Sequence, residues 1–448
     1  MRIAYGPEVR MQVTRRSRLG VALSSTLVLA AVAGCGDGGG GGGPTAPAIP
    51  SIVGTFGSPV TFATHAALAG YGYLFGPSDG QFGAIRAGGG TYTFYGSAGS
   101  AASCAGTPSL NGEYTFTGTL DQVAGSSCTR LFGPGSAPTG WVFDSNYAGG
   151  GEVVRFRVGA DSGWLIPFHA EYHWTNPSTA DGRCYVTGNA GGEVPCFYGG
   201  IGLAVSTDGG ATFRVAGQVF QPSQPLSVFK GGGTNMTVGY GSLIVADANG
   251  KHLPNPPADP AGAYFYLFFT DRLPGLPGVC ATQSCIGVAR APYGAVVTAV
   301  LSGDPHQVAT VFHKYDGASP DPWTQPATGN TPDLSGTAGS YAPLFTDQAG
   351  GVPEVLYDSA VGAYLVVYQT AGASVRASSD LIHWSGPIAT YSEPGRQLYY
   401  PTLMGETGDP TIGGPAPRIY FTSFPTDSFP RYATSVFESV PLALTRGP

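Results

Sequence analysis

Between residues 80 and 440 short apolar runs alternate with Gly- and Asp-containing turns, and the same order recurs five times: an apolar strand, a turn, an aromatic strand and often a third strand. The first copy is Gly83-Ala84-Ile85-Arg86, then Tyr92-Thr93-Phe94-Tyr95, then Tyr114-Thr115-Phe116. The second runs from Val153-Val154-Arg155-Phe156 through Trp164-Leu165-Ile166-Pro167-Phe168 to Ile201-Gly202-Leu203-Ala204-Val205. The third is Ser242-Leu243-Ile244-Val245, Tyr264-Phe265-Tyr266-Leu267-Phe268-Phe269 and Ile286-Gly287-Val288-Ala289. The fourth is Glu354-Val355-Leu356-Tyr357, Tyr364-Leu365-Val366-Val367-Tyr368 and Ser374-Val375-Arg376-Ala377; the fifth is Pro401-Thr402-Leu403-Met404, Arg418-Ile419-Tyr420-Phe421 and Ala433-Thr434-Ser435-Val436-Phe437.

A sheet of three or four such strands cannot bury both of its faces alone, and similar sheets packed radially around an axis bury one another. The pattern therefore predicts an all-β chain, a five-bladed β-propeller, in preference to a β-sandwich or β-helix, because regular strand triplets are separated by long variable insertions. Closing the ring requires an early strand, Pro59-Val60-Thr61-Phe62, to complete the last blade. Composition agrees: 71 glycines and 12% aromatic residues, against 11% charged residues and three lysines, favour strands and turns over helices. A net charge of −7 argues against a polyanionic partner, so no nucleic-acid role is assigned.

The first 50 residues have a different character. Arg15, Arg16 and Arg18 precede an apolar stretch that starts at Leu19, is too short to span a bilayer comfortably, and ends in Ala31-Val32-Ala33-Gly34-Cys35. Val-Ala-Gly-Cys resembles a bacterial lipobox, whose cysteine receives a diacylglycerol and becomes the first mature residue. Thr14-Arg15-Arg16-Ser17-Arg18-Leu19 also resembles a twin-arginine export signal without the usual following aromatic residue. These features divide the chain into a lipoprotein signal peptide (1–34), a lipidated Cys35 on a Gly/Pro-rich tether (35–50) reaching about 20 Å, and one propeller domain (51–448). The expected location is the bacterial cell envelope, with membrane attachment through the lipid alone. The other six cysteines fall in close pairs, Cys104 with Cys128, Cys184 with Cys196 and Cys280 with Cys285, which in an exported chain reads as disulfides.

Two turns carry a family resemblance. Ser206-Thr207-Asp208-Gly209-Gly210-Ala211-Thr212-Phe213 resembles the Asp-box of sialidase-type propellers, with phenylalanine in place of tryptophan. Ser378-Ser379-Asp380-Leu381-Ile382-His383-Trp384 resembles the Ser-x-Asp-Leu-x-x-Trp turn of five-bladed glycoside hydrolases of the family 43 and family 32 type. Both are turn-stabilising devices, so Asp208, Asp380 and Trp384 are assigned to the scaffold. The sialidase Arg-Ile-Pro motif is absent. The resemblance implies a site at one end of the axis, with three acids serving as base, general acid and modulator.

Glycoside cleavage needs two carboxyl groups flanking the bond, one with a raised pKa. Glu354 opens the fourth inner strand, Asp271 follows Phe268-Phe269-Thr270 and Glu171 follows Phe168-His169-Ala170, so three successive blades each offer one acid. Glu354 is the candidate general acid, and Asp271 or Glu171 the base or modulator. Arg86 stands where the family has its first inner-strand Asp. In Phe168-His169-Ala170-Glu171-Tyr172-His173-Trp174, strand alternation puts His169, Glu171 and His173 on one side. That face suits sugar binding, a polar plug at the channel mouth, or a channel-bound metal ion held by two imidazoles and a carboxylate. No cofactor is otherwise required. Arg155, Arg272 and Arg290 are candidates for a carboxylated sugar, and Tyr240, Tyr399, Tyr400, Trp174 and Trp323 for stacking on sugar rings. The expected function is a surface-anchored, glycoside-hydrolase-like propeller; the alternative is a non-catalytic propeller that binds glycan or protein.

Overall fold

Strands in this chain are apolar on both faces because each sheet is covered on both sides. In the computed structural model, which describes residues 49–447 apart from 65, 68–79, 100–110, 175–184, 188–192, 233–238, 274, 282, 319 and 427–433, five antiparallel sheets follow one another along the sequence. Two early strands, β1 (Ile52–Phe56) and β2 (Val60–Thr64), precede the first blade. Blade 1 is β3 (Phe82–Gly88), β4 (Thr91–Gly99), β5 (Asn111–Thr119) and β6 (Gln122–Phe132). Blade 2 has a split inner strand, β7 (Tyr147–Gly149) and β8 (Val154–Val158), both paired with β9 (Asp161–His173). After a small hairpin of β10 (Tyr185–Thr187) and β11 (Glu193–Pro195), β12 (Phe197–Ser206) and β13 (Arg214–Phe220) complete it.

Blade 3 is β14 (Gly239–Asp247), β15 (Ala263–Asp271), β16 (Cys285–Pro292) and the short β17 (His313–Lys314) and β18 (Gln325–Pro326). Blade 4 is β19 (Gly351–Asp358), β20 (Ala363–Gln369), β21 (Ala373–Ser378) and β22 (Ala389–Tyr391). In blade 5, β23 (Arg396–Met404), β24 (Arg418–Pro425) and β25 (Val436–Arg446) are joined by β1 and β2, which both pair with β25. The early strand expected from Pro59-Val60-Thr61-Phe62 thus completes the last blade. The fold is a five-bladed β-propeller, closed by contact of β23 with β3.

Alternation along each strand feeds two different cores. In β15, Phe265, Leu267 and Phe269 enter the cluster between blades 2 and 3, while Tyr266 and Phe268 enter the cluster between blades 3 and 4. Val355 and Leu356, neighbours in β19, likewise go to opposite sides. The closure core gathers Phe62, Phe82, Phe94, Phe116, Met404, Tyr420 and Phe437. Each buried ring there contributes about 1.5 to 3 kcal/mol, so the seam between first and last blades is a full core.

The sequence pattern does not announce the helices. A helix α1 (Leu226–Gly232) follows blade 2, and α2 (Tyr293–Ser302) and α3 (Pro305–Thr310) are inserted after β16. Pro292 precedes α2 and Gly303, at φ 77°, ends it; only tertiary burial of Tyr293, Val296, Val297 and Val300 holds its β-branched residues in a helix. Both resembling turns have the expected scaffold bonds. Asp208 accepts from the amides of Ala211 and Thr212, and Asp380 from those of Ile382 and His383, with Phe213 and Trp384 buried beside them.

Cys280 and Cys285 form a disulfide, and Cys196 is also disulfide-bonded. Cys35, Cys104 and Cys184, the side chain of Cys128 and the whole export signal lie outside the described residues.

Candidate functional site

The inner strands share a backbone irregularity. Gly80, Gly150, Tyr240, Val352 and Tyr400 all have positive φ: Gly80 before β3, Gly150 between β7 and β8, Tyr240 and Val352 at the second residue of β14 and β19, and Tyr400 midway along β23. In β14, β19 and β23 this residue sits in a register shift, a bulge that turns the strand. Tyr240 (φ 51°), Val352 (φ 54°) and Tyr400 (φ 55°) lack glycine's freedom, and the β-branched Val352 is the most strained of the three.

Two residues beyond each of these positions stand Phe82, Glu152, Ser242, Glu354 and Thr402. Inner strands of neighbouring blades are not joined by a regular ladder, so side chains satisfy their amides. Thr402 Oγ1 accepts from the Phe82 amide (3.4 Å), Ser242 Oγ from the Val355 amide (3.0 Å), and Glu152 Oε1 from the Ser242 hydroxyl (3.0 Å) and the Leu243 amide. Glu354 and Glu152 are buried close enough for their carboxyls to interact, and one oxygen of each has no hydrogen-bond partner. Burial raises both carboxyls, and repulsion from Glu152 raises Glu354 further. Nearby Glu113 is pushed up to about 8 by burial, opposed by a bond from the Gly150 amide (2.8 Å). Glu152 escaped the sequence reading, although aligning Gly150-Gly151-Glu152 with Val352-Pro353-Glu354 would have found it.

At the end of β9, His169, Glu171 and His173 share one face, as alternation requires. His169 Nε2 lies 3.0 Å from Glu171 Oε1 and His173 Nε2 2.6 Å from Oε2. Burial disfavours the Glu171 charge, but these two bonds outweigh it and draw the carboxyl down to about 2. His169 is buried and stacks on Tyr240 (4.0 Å, 12°), and Tyr400 lies 5.5 Å from Tyr240. Both Nε2 atoms are spent on Glu171. Among the described residues no group of three His, Cys, Asp or Glu is arranged to hold a metal ion.

Tyr240 also lines an open cleft of about 610 Å³, whose walls include Gln283, Asp347, Gln348, Val352 and Gln369. Gln369 Oε1 accepts from the Tyr400 amide (3.1 Å), which ties the cleft wall to the aromatic platform. The disulfide loop forms another part of the wall: Val279 donates its amide to the Thr346 carbonyl (3.3 Å) and Gly350 to that of Ser284 (3.3 Å).

The three candidate acids have separate partners, and no hydrogen bond or ion pair among the described residues joins two of them. Glu354 is buried against Glu152, and Glu171 is bound to its histidines. Asp271 is fully buried, accepting from Ser223 (2.8 Å) and lying 3.7 Å from Lys314. Lys314, unnoticed in the sequence, is buried too; desolvation lowers its ammonium to about 8 against the pull of Asp271. Arg155 lies over Trp164 (5.9 Å), and Arg290 between Tyr264 (4.8 Å) and Trp323 (4.3 Å). Arg272 donates its amide to the Asp271 carboxylate (2.7 Å). None of the three arginines lines the cleft. Trp174 is buried in the core between blades 1 and 2.

The sequence matches no protein-family model and no curated protein. Solved structures with a similar chain path include the catalytic domain of the Coprinopsis cinerea GH62 α-L-arabinofuranosidase, at 10% identity and TM-score 0.42 over 88% of this chain and 98% of that one. The Podospora anserina α-L-arabinofuranosidase in complex with cellotriose is similar at 10% identity and TM-score 0.42, covering 89% of this chain and 98% of that one. A Phanerochaete chrysosporium exo-β-1,3-galactanase is similar at 10% identity and TM-score 0.43, covering 87% of this chain and 64% of that one.

Proposed function

We propose that this propeller binds a glycan at the cleft lined by Tyr240, with Tyr400 beside it, and that it is a binding protein of glycoside-hydrolase-like architecture. The observation that carries the reading is the state of its acids. Hydrolysis asks for two carboxyl groups roughly 5 to 10 Å apart across the scissile bond; Glu152 and Glu354 are instead buried against each other, and Asp271 is locked in an ion pair. The cleft offers amides, hydroxyls, a tyrosine and one carboxylate, Asp347, which can hold a sugar but falls short of the pair of acids that cleavage requires. Hydrolysis is the second reading, favoured by one observation: His173, 27% exposed beside the ionised Glu171, is a group able to donate a proton.

Calorimetric titration with plant and microbial oligosaccharides, paired with a reducing-sugar assay, tests this. The expected result is saturable binding without release of reducing ends, weakened about tenfold in Tyr400→Ala by loss of a stacking contact. Turnover abolished in Glu171→Gln or His173→Ala would establish the enzyme instead, and an absence of glycan binding would end the proposal.

The N-terminal segment supports a second element of the proposal, that Cys35 carries lipid and holds the propeller at the cell envelope. Cys35→Ala should then move the chain from the membrane to the soluble fraction or stop its maturation. Unchanged fractionation, with no lipid mass on the N-terminal peptide, would refute the anchor.

A further inference from the structure

Arg376, in β21, is buried to 2% exposure and holds two residues that wall the cleft, Asp347 directly and Gln348 through Tyr368. Its Nη2 bonds both oxygens of Asp347 (2.8 and 2.9 Å), its Nη1 the Ser385 carbonyl (2.8 Å), and its Nε the Tyr368 hydroxyl (2.8 Å). Cζ lies 4.1 Å from the centre of the Phe345 ring, which fixes the plane of the fork. A guanidinium can only donate, so the Tyr368 oxygen accepts from it, and the single phenolic proton is left for Gln348 Oε1, 2.7 Å away. That direction of bonding determines which end of the Gln348 amide is held. The oxygen is tied to Tyr368 and the NH₂ group is left to donate into the cleft.

The wall therefore presents an acceptor, the Asp347 carboxylate at 60% exposure, next to a donor, the Gln348 amide nitrogen. Hydrogen bonding to Arg376 keeps Asp347 below the usual carboxylate range, so the acceptor persists in mild acid. Adjacent hydroxyls on a sugar ring match this pair, one donating to Asp347 and the next accepting from Gln348. A sugar carboxylate does not, because it would meet the Asp347 carboxylate while the compensating cation lies buried behind it.

We propose that Asp347 and Gln348 select neutral glycans through a vicinal diol, with Arg376 and Tyr368 as the positioning residues that set the donor and acceptor order. The inference rests on the glycan-binding reading above and adds the ligand class and the residues that read it.

The test is titration of the full mature chain with neutral xylo- and cello-oligosaccharides and with oligogalacturonate of matched length. Wild type should prefer the neutral ligands at least about tenfold; Gln348→Glu, which cannot donate, should lose about tenfold in affinity for them. Asp347→Asn should narrow the preference over oligogalacturonate, a change in selectivity that general loosening of the fold would not produce. Tyr368→Phe should weaken neutral-ligand binding severalfold because the Gln348 amide is no longer held, with thermal unfolding run alongside to confirm a folded chain. Neutral-glycan binding that is indifferent to Asp347→Asn and Gln348→Glu would overturn this inference and leave the glycan-binding reading standing. If wild type binds none of these ligands nor any other glycan, both fail.

Discussion

Glu171 shows how a side chain takes its charge from its neighbours. Its folded pKa, about 2, lies below the ordinary carboxylate value of 4.5, so its contribution is present above about pH 4.5 and is lost as pH falls toward 2. Glu171→Gln is expected to destabilise the protein by about 2 to 3 kcal/mol at pH 6 and by progressively less in acid, read by denaturant unfolding at a series of pH values. An equal loss at pH 6 and pH 3 would mean that packing, not the ion pairs, is what the substitution removes. That His169, Glu171 and His173 share a face was legible in the sequence, since strand alternation is local. The stacking of His169 on Tyr240 was not, because Tyr240 comes from another blade. Arg376 shows the converse: it reads as one polar residue in an apolar strand, and its role exists only because the segment carrying Asp347 and Gln348 folds over it.

At the scale of elements, the inner and middle strands are legible because their apolar runs are dense and bounded by turn residues. The outer strands are less so. The outer strands β17, β18 and β22 are two or three residues long, too short to carry a period. The bulges at Tyr240, Val352 and Tyr400 have no local signal at all, since nothing in these residue types favours positive φ. In β14, β19 and β23 they fall in register shifts against the neighbouring strand, and Tyr400 lies 5.5 Å from Tyr240, which lines the cleft.

For the whole molecule, the burial of Glu113, Glu152 and Glu354 predicts a pH dependence. Glu113, Glu152 and Glu354 have folded pKa values raised above 4.5, so they hold protons in the folded state that the unfolded chain has released; their contribution is full below about pH 4.5 and declines as pH rises toward 8. Lys314 stays protonated in both states until about pH 8, and His252, lowered by burial, runs the other way. Melting temperature should therefore peak in mild acid, near pH 5, and fall by about 5 °C toward pH 8, with the slope reduced in Glu152→Gln. A curve flat between pH 5 and pH 8, or an unchanged slope in the variant, would show that these carboxyls ionise freely.

Strand order, blade number and the borrowed closing strand follow from local periodicity and from the need of two-faced apolar strands to be covered on both sides, and these were written along the chain. Which acids meet was not. Glu354 finds Glu152, about 200 residues away in sequence, Asp271 finds Lys314 and Glu171 finds two histidines, so the three acids that look equivalent by strand position end in three different environments. The physical reason is that secondary structure is set by neighbours along the chain, whereas charge state and hydrogen-bond order depend on which blade stands alongside.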